Sequence, residues 1–267
     1  MKADFHMHTR FSSDSDTAPE EIVEKAIEIG LETICFTDHF DKDYPGHENE
    51  FQLDTPNYFP YMQKIQEEYK DRIDIRIGVE LGMQPHLGDF LREYVKQYPF
   101  DFVIGSMHLF HGQDPYYKKC FVGRTDREAY KAAFEETLET IKRFSGFDVL
   151  GHLDFIVRYG KRQAEEYSYE ENADVIDEIL KYLITNGKGL ELNTAGWKYG
   201  LSFAHPYPSI LKRYRELGGE IITVGSDGHR PEHIAYDFHK VNDLLKACGF
   251  KYYTEFKQRK PVFCALI

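Results

Sequence analysis

Several features are absent or scarce in this chain, and each absence excludes a class of protein. No run approaches the roughly 20 apolar residues that a membrane span requires, so we expect no membrane-embedded segment. The four cysteines lie far apart and form no CxxC pair, which argues against a thiolate metal site and predicts reduced thiols. Residues 1–6 lack the apolar core of a secretory signal. Together these absences predict a cytoplasmic protein.

Positive charge is also in short supply. The chain has 33 Lys and Arg residues against 45 Asp and Glu residues, a formal net charge of −12. A nucleic-acid surface normally needs clustered basic residues, so we expect no nucleic-acid partner. An anionic small molecule remains compatible with this charge because bound divalent cations can reverse the local field.

Short apolar segments alternate with amphipathic segments along the whole chain, and no low-complexity linker separates them. Strands are predicted at 2–6, 33–37, 73–80, 102–106, 148–152, 189–193 and 220–226, with a weaker one at 252–256. Helices are predicted at 21–29, 57–70, 87–97, 126–144, 172–185, 208–217 and 232–247. Thr17 and Glu20 have the spacing of a capping box, with Pro19 in the first turn and Gly30 after the first helix. We therefore predict one α/β domain over 1–267, a closed barrel of seven βα repeats, with a doubly wound sheet as the alternative.

Metal-ligand residue types recur where the predicted strands end. The first strand ends in His6 and His8, and residues two apart in a strand point to the same side. The other ends carry Asp38 and His39, Glu80, His108, His152 and Asp154, Glu191 and Asn193, and Asp227 and His229. Long loops at 40–56, 109–125, 153–170 and 194–207 follow strands as well. A barrel would bring all of these residues to one rim, where such folds keep their active sites.

Each of these residues also has an ordinary explanation when taken alone. Asp38 or Asp154 could cap a helix, Glu80 could pair with Arg76, and a single histidine is more often a core or surface residue. Together, however, they would bury several ionisable groups, which is costly unless the groups are paired or coordinated. Imidazole and carboxylate without thiolate indicate zinc, iron or manganese.

The ordered set of motifs resembles the PHP (polymerase and histidinol phosphatase) family. It consists of the HxH at 6–8, Asp38-His39, Glu80, His108, His152 and Asp227-x-His229. Segments 190–197, 206–209, 225–229 and 256–261 are similar to the histidinol-phosphate phosphatase branch of that family. The resemblance implies a distorted (β/α)7 barrel, TIM-like, with a metal site at the C-terminal ends of its strands.

The resemblance also implies three divalent metal ions (Zn, Fe and/or Mn). The first would be held by His6, His8, Glu80 and Asp227, and the second by Glu80, His108 and His152. The third would be held by His39, His229 and Asp14, where the family often has histidine; Asp16 is the alternative to Asp14.

The implied reaction is hydrolysis of L-histidinol phosphate to L-histidinol and phosphate in histidine biosynthesis. A hydroxide that bridges two metals, held by Glu80 and Asp227, would attack phosphorus. The alternatives are a PHP phosphoesterase for nucleotides or another small phosphate ester, a metal-stabilised binding module without catalysis, and an amidohydrolase. The amidohydrolase alternative is disfavoured because no strand end offers the lysine usual in that group.

Residues of the rim loops are candidates for substrate binding. Arg158 would bind phosphate through its guanidinium, unless it forms a surface ion pair with Glu165 or Glu166. Further candidates are Arg124 and Arg230 for phosphate, and Asp114, Asp154 and Asn193 as acceptors for the ammonium and imidazole groups. His205 is the candidate for protonating the leaving alkoxide, and Tyr116, Tyr117 and Tyr199 could stack on the imidazole. The oligomeric state is not predicted by the sequence.

Overall fold

The structure is a computed structural model that describes residues 1–46 and 50–266, and these residues form ten strands and eight α-helices. The strands are β1 (Ala3–Met7), β2 (Thr33–Phe36), β3 (His39–Phe40), β4 (Asp74–Gly82), β5 (Phe102–Ser106), β6 (Val149–Leu150), β7 (Gly189–Asn193), β8 (Ile222–Gly225), β9 (Tyr252–Lys257) and β10 (Lys260–Ala265). The helices are α1 (Pro19–Glu28), α2 (Thr55–Tyr69), α3 (Gly88–Gln97), α4 (Asp126–Arg143), α5 (Ala173–Thr185), α6 (Ala195–Lys198), α7 (Pro208–Glu216) and α8 (Val241–Ala247). Of the predicted loop 40–56, residues 47–49 lie outside the described residues.

Seven parallel strands form a sheet that nearly closes on itself. Their order is β1-β2-β4-β5-β6-β7-β8, and the short β3 pairs with β4 beyond the point where β2 ends. Three backbone hydrogen bonds join the ends of the first and last strands at a closing seam. His8 N donates to Gly228 O and Asp227 N to His6 O, both at 2.8 Å, and Gly228 N donates to His6 O at 3.4 Å. The predicted seven-stranded barrel is confirmed, and the doubly wound alternative is wrong.

The strands are buried on both faces because helices cover the outside of the sheet. β1, β2, β5, β7 and β8 consist entirely of buried residues, as expected for parallel strands under helices. The apolar face of α4 is turned inward: Tyr130, Phe134 and Ile141 are buried and Leu138 is half-buried. Burying each such large side chain stabilises the fold by roughly 2–3 kcal/mol.

The N-terminal end of the barrel is covered by the antiparallel hairpin β9–β10. Its turn residues Gln258 and Arg259 adopt positive φ angles of 50° and 64°. Gln258 N donates to Asp101 Oδ1 at 2.9 Å, and Arg259 Nε donates to Asp148. The sequence predicts only the first strand of this hairpin. β10 contains Pro261 and lies at a sheet edge, where proline is tolerated.

Two helix predictions are wrong in detail. The N-cap of α1 is Ala18, without a side-chain cap, because the Thr17 hydroxyl donates to the His229 carbonyl at 3.0 Å instead. Gly30 does follow the helix, with φ +80°. The helix predicted at 232–247 is reduced to α8, because Ala235 and Asp237 take positive φ angles that interrupt it. Within the described ranges, no helix is long and apolar enough to cross a membrane.

Candidate metal centre

The carboxylate of Glu80 lies at the centre of a cluster of imidazoles. Glu80 comes from the C-terminal part of β4 and is completely buried. Its Oε2 lies 3.3 Å from His6 Nε2 and 3.5 Å from His8 Nε2. Its Oε1 lies 2.9 Å from His152 Nε2 and 3.2 Å from His108 Nε2. Its Oε2 also lies 2.9 Å from His39 Nδ1, so one carboxylate contacts five imidazoles.

Asp227 approaches the same histidines from the closing seam. Its Oδ1 lies 3.4 Å from His8 Nε2 and 3.8 Å from His6 Nε2. The residue has a positive φ of 52°, a conformation that non-glycine residues adopt at some energetic cost. Lys198, which the sequence analysis did not single out, donates to the Asp227 carbonyl at 2.6 Å. This contact helps to hold the left-handed turn that aims Asp227 at the two histidines.

A third group forms beside the first two. Asp14 Oδ2 lies 3.1 Å from His229 Nε2 and 3.6 Å from His39 Nε2. The His8 ring stacks between the other two imidazoles, with centroids 4.1 Å from His39 and 4.2 Å from His229. Asp14 and its alternative Asp16 are both exposed, and the short distances to His229 and His39 belong to Asp14.

The histidines and carboxylates of the cluster strongly shift one another's pKa values. Burial alone would raise the pKa of Glu80, but positive charge on His6, His108 and His39 holds that pKa well below its ordinary value. Burial would lower the pKa of His6, yet Glu191, Glu80 and Asp227 raise it well above normal. For His8, burial and the neighbouring His39 and His229 lower the pKa. Such opposed shifts are typical of functional sites.

Several polar atoms at the centre are buried and lack a hydrogen-bond partner within the described part of the chain. They are His6 Nε2, His8 Nε2, His39 Nδ1, Glu80 Oε2 and His229 Nε2. Unpaired buried polar atoms are costly, and imidazole nitrogens with carboxylate oxygens form the donor set of divalent zinc, iron or manganese. The residues present therefore fit divalent metal ions, which would satisfy these atoms.

Other polar side chains orient the histidines from behind, and the sequence analysis assigned none of them to the site. Glu191 accepts from His152 N at 2.9 Å and lies 2.5 Å from His6 Nδ1. Asp41 Oδ1 lies 2.7 Å from His108 Nδ1. Glu191 was noted as a strand end without a role. Asp41 stands two residues after His39, the same spacing as His6 and His8, and that signal could have identified it.

A cleft of about 730 Å³ opens above the cluster. Arg158 lies in its wall, with its guanidinium carbon 4.1 Å from the Tyr199 ring, 4.5 Å from Phe155 and 5.0 Å from Tyr159. The alternative ion pair of Arg158 with Glu165 or Glu166 is wrong, because Arg162 takes both carboxylates. Cation–π contacts on three rings hold the Arg158 side chain at the cleft.

Asp114 and Arg230 also line the cleft, together with Tyr116, Tyr117 and Tyr199. Asp114 accepts hydrogen bonds from the Tyr44 hydroxyl and, at 2.7 Å, from Tyr116 N. Arg124 instead donates to Cys120 O at 3.2 Å, and it is not among the described residues that line the cleft. Phosphate binding by Arg124 stays a prediction.

Three further predicted substrate contacts lie beneath the site rather than in the cleft. Asp154 and His205 are buried against each other, with 2.5 Å between Asp154 Oδ1 and His205 Nδ1. Asn193 is buried between Glu191 and the Ala195 amide. The cleft wall, as far as the structure describes it, includes none of the three. Substrate contact by Asp154 and Asn193, and proton donation by the buried His205, stay predictions.

Comparison with known proteins agrees with this geometry. A model of the PHP domain matches residues 4–195. The histidinol-phosphatase of Lactococcus lactis subsp. lactis is 34% identical over 97% of this chain and 96% of its own length. A probable histidinol-phosphatase of Clostridium acetobutylicum is 33% identical over 94% of this chain and 95% of its own.

The fold has a match among solved structures as well. The crystal structure of the histidinol phosphate phosphatase of L. lactis, complexed with zinc, L-histidinol and phosphate, superposes with a TM-score of 0.89, covering 98% of each chain at 34% identity. With the family model covering residues 4–195 and these relatives spanning nearly the whole length, the chain belongs to the PHP domain family.

Proposed function

We propose that this chain is a histidinol-phosphatase, which hydrolyses the phosphate monoester of L-histidinol to L-histidinol and inorganic phosphate in histidine biosynthesis. The observation that carries this proposal is the convergence of buried imidazole and carboxylate atoms without hydrogen-bond partners, among the described residues, beneath a cleft whose wall includes Arg158. The likeness to the L. lactis histidinol-phosphatase over 97% of this chain supports the choice of substrate.

The proposed cofactors are three divalent metal ions, with zinc, iron and manganese all compatible with the ligands. His6, His8, Glu80 and Asp227 would hold the first, and Glu80, His108 and His152 the second. His39, His229 and Asp14 would hold the third. When bound, such ions lower the pKa of coordinated water and neutralise charge on phosphoryl oxygens. The crystal structure of the L. lactis relative contains zinc.

The chain's own residues would position the phosphate. Arg158 presents a planar guanidinium that suits two phosphoryl oxygens, and its contacts with Tyr199, Phe155 and Tyr159 restrict the side chain before substrate arrives. Arg230, exposed at the cleft, is a second cation for the same group. Such preorganisation reduces the entropy lost on binding.

A negatively charged side chain of the cleft would recognise the amino-alcohol part of the substrate. Asp114 lies in the cleft with its carboxylate fixed by the Tyr44 hydroxyl and the Tyr116 amide. A fixed carboxylate suits the ammonium group of histidinol, while the exposed rings of Tyr116 and Tyr117 suit its imidazole. The cleft thus combines a phosphate-binding cation with an anion for the amino alcohol.

Phosphate release from a panel of substrates tests this function. Metal-loaded protein would be assayed with L-histidinol phosphate, the nucleoside monophosphates and a short oligonucleotide, and its metal content would be measured by elemental analysis. We expect the highest kcat/KM with histidinol phosphate and none after chelation. Preference for any nucleotide would overturn the proposal in favour of a nucleotide phosphoesterase. Metal-loaded protein that is inactive on the whole panel would indicate a binding module.

A further inference from the structure

Asp41 faces two histidines that belong to different proposed metal positions. It follows β3, is only 4% exposed, and has its Oδ1 2.7 Å from Nδ1 of His108. Its Oδ2 is buried, has no hydrogen-bond partner in the described residues, and lies 3.6 Å from Nδ1 of His39. We propose that Asp41 is a positioning residue that orients both imidazoles and so couples the second metal to the third; this rests on the metal positions proposed above.

The chemistry of imidazole ligands explains why one carboxylate would serve both rings. A histidine that offers Nε2 to a metal carries its proton on Nδ1, and that N–H needs an acceptor that fixes the ring. His108 has this acceptor in Asp41. His39 Nδ1 lies 2.9 Å from Glu80 Oε2, but Glu80 is itself the proposed bridging ligand. When Glu80 Oε2 binds a metal, it no longer accepts a hydrogen bond from His39. Asp41 Oδ2 is then the acceptor available to His39 Nδ1.

The neighbouring strand reserves space for this carboxylate. A Cβ atom at Gly82 would lie 1.9 Å from Asp41 Oδ1 and 2.3 Å from its Cγ, far inside van der Waals contact. Gly82 does not have a positive φ, so no conformational requirement accounts for glycine there. The close approach of Asp41 does account for it. A residue of β4 and a residue after β3 are thus matched in shape as well as charge.

Direct ligation by Asp41 is the competing role, since ligand atoms of His39, Asp41 and His108 lie within 4.8 Å of one another. The 2.7 Å separation from His108 Nδ1 is that of a charge-assisted hydrogen bond. That atom pair would not hold a metal between them at such a distance. The geometry therefore favours an orienting role.

Two substitutions separate the possibilities. Asp41→Asn retains the volume but only one oxygen, so it can accept from one imidazole and not from both. We expect the dissociation constant of one metal of three to rise about 10–100-fold, with the other two unchanged. Asp41→Ala should weaken two metals. Gly82→Ala should imitate Asp41→Ala, because it displaces the carboxylate without removing a polar group.

Zinc titration in competition with a fluorescent chelator gives the individual constants, and elemental analysis gives the stoichiometry. Asp148→Asn is the matched control, because Asp148 is a buried carboxylate at the other end of the barrel. This variant should bind three metals as the wild type does. Circular dichroism checks that each variant folds. If Asp41→Ala does not fold, the near-isosteric Asp41→Asn still decides.

The outcomes distinguish this inference from the proposed function. Wild-type protein that binds fewer than three ions contradicts the trinuclear site itself. Wild-type protein with three ions, together with unchanged constants in Asp41→Asn and Gly82→Ala, contradicts only the role of Asp41. Complete loss of one ion in Asp41→Asn, rather than weaker binding, would make Asp41 a ligand and overturn the orienting role. A general loss of stability would weaken all three ions alike, which a positioning role does not predict.

Discussion

The two ends of the barrel both bury carboxylates, but they satisfy them differently. At the N-terminal end, Asp148 accepts from the Val103 amide at 2.9 Å and from the Arg259 guanidinium. Asp101 there accepts from backbone amides, including that of Gln258. At the C-terminal end, Glu80 faces imidazoles, and its Oε2 lacks a hydrogen-bond partner among residues 1–46 and 50–266. The chain itself satisfies the carboxylates at the first end, whereas cations would satisfy the carboxylate at the second.

This difference identifies the reactive end better than size does. The cavity at the N-terminal end, lined in part by Asp101 and Arg259, measures about 1060 Å³ against about 730 Å³ for the cleft above the histidines. Charge at the larger cavity is balanced by neighbouring side chains such as the Arg76–Asp74 pair. Arg76 Nε at the larger cavity also lacks a hydrogen-bond partner among the described residues. A cluster of such imidazole and carboxylate atoms, rather than volume, therefore distinguishes a site for chemistry from a structural polar network.

Among the substitutions that test the difference between the two ends, Glu80→Gln should have the largest effect on activity. Loss of the central carboxylate removes the proposed bridge between two metals, and we expect kcat/KM to fall by about 10³-fold, with at least one metal lost. The measurement is phosphate release beside elemental analysis. Glu136→Gln is the control, because Glu136 is a buried carboxylate of α4. Full activity and full metal content in Glu80→Gln would remove the distinction between the two ends.

Arg259→Met tests the opposite end. It leaves Asp148 buried without its cation, which should lower the free energy of unfolding by about 3 kcal/mol, as measured by urea denaturation. Metal affinity should stay unchanged because the cluster lies at the other end of the strands. Arg72→Met breaks an exposed pair with Glu24 and should change stability far less, because exposed ion pairs contribute little. Equal effects of the two substitutions would contradict a structural network at this end.

Arg158→Met should act on substrate and not on the fold. Loss of a charge-assisted contact of about 2 kcal/mol corresponds to a roughly 30-fold fall in kcat/KM for histidinol phosphate, with metal content unchanged. Arg162→Met, in the same loop but paired with Glu165 and Glu166, should keep wild-type kinetics. If both arginines have the same effect, the loop has a general stabilising role and Arg158 has no special one.

The pH dependence of stability and of metal affinity should give the smallest measurable difference between the two ends of the barrel. Burial would lower the pKa of His108, but Asp41 and Glu80 raise it to about 10 from 6.5 in the metal-free protein. A raised pKa means that the stabilisation is complete below pH 6.5 and is lost as the pH rises toward about 10. The same proton competes with metal, so affinity should rise about tenfold per pH unit across this window.

Chemical denaturation of chelated protein, and zinc titration at several pH values, measure these slopes. Arg259→Met should leave both slopes unchanged, since it alters only the N-terminal end. A metal-free stability that is flat between pH 6.5 and about 10 would show that His108 is not held protonated by its two carboxylates.

The rim was predictable because its geometry follows from the backbone. Parallel strands end at one edge, and residues two apart share a side, so His6, His8 and Glu80 could be brought together without coordinates. Asp41 escaped notice because β3 has only two residues and pairs with β4 beyond the end of β2. A strand that short leaves little apolar pattern in the sequence.

Which polar residues are covered could not be predicted from the sequence. His205 and Asp154 have residue types that suit an exposed rim, yet packing turns them toward each other beneath it. Thr17 has the spacing of a cap, yet its hydroxyl is used by the His229 carbonyl. Both outcomes depend on contacts between residues distant in sequence, which local spacing does not contain. The same applies to Arg124, whose donor is taken up by a carbonyl of its own loop.

The closing seam has a consequence for how the protein is made. Its hydrogen bonds join residues 6 and 8 to residues 227 and 228, so the first proposed metal needs side chains from both ends of the strand order. At a translation rate of about 5–20 residues per second, His6 leaves the ribosome on the order of ten to forty seconds before Asp227. During that interval a metal can meet only part of its ligands. Metal binding by the complete set of ligands would therefore be a late event in biogenesis, possible only once the first and last strands of the barrel have paired.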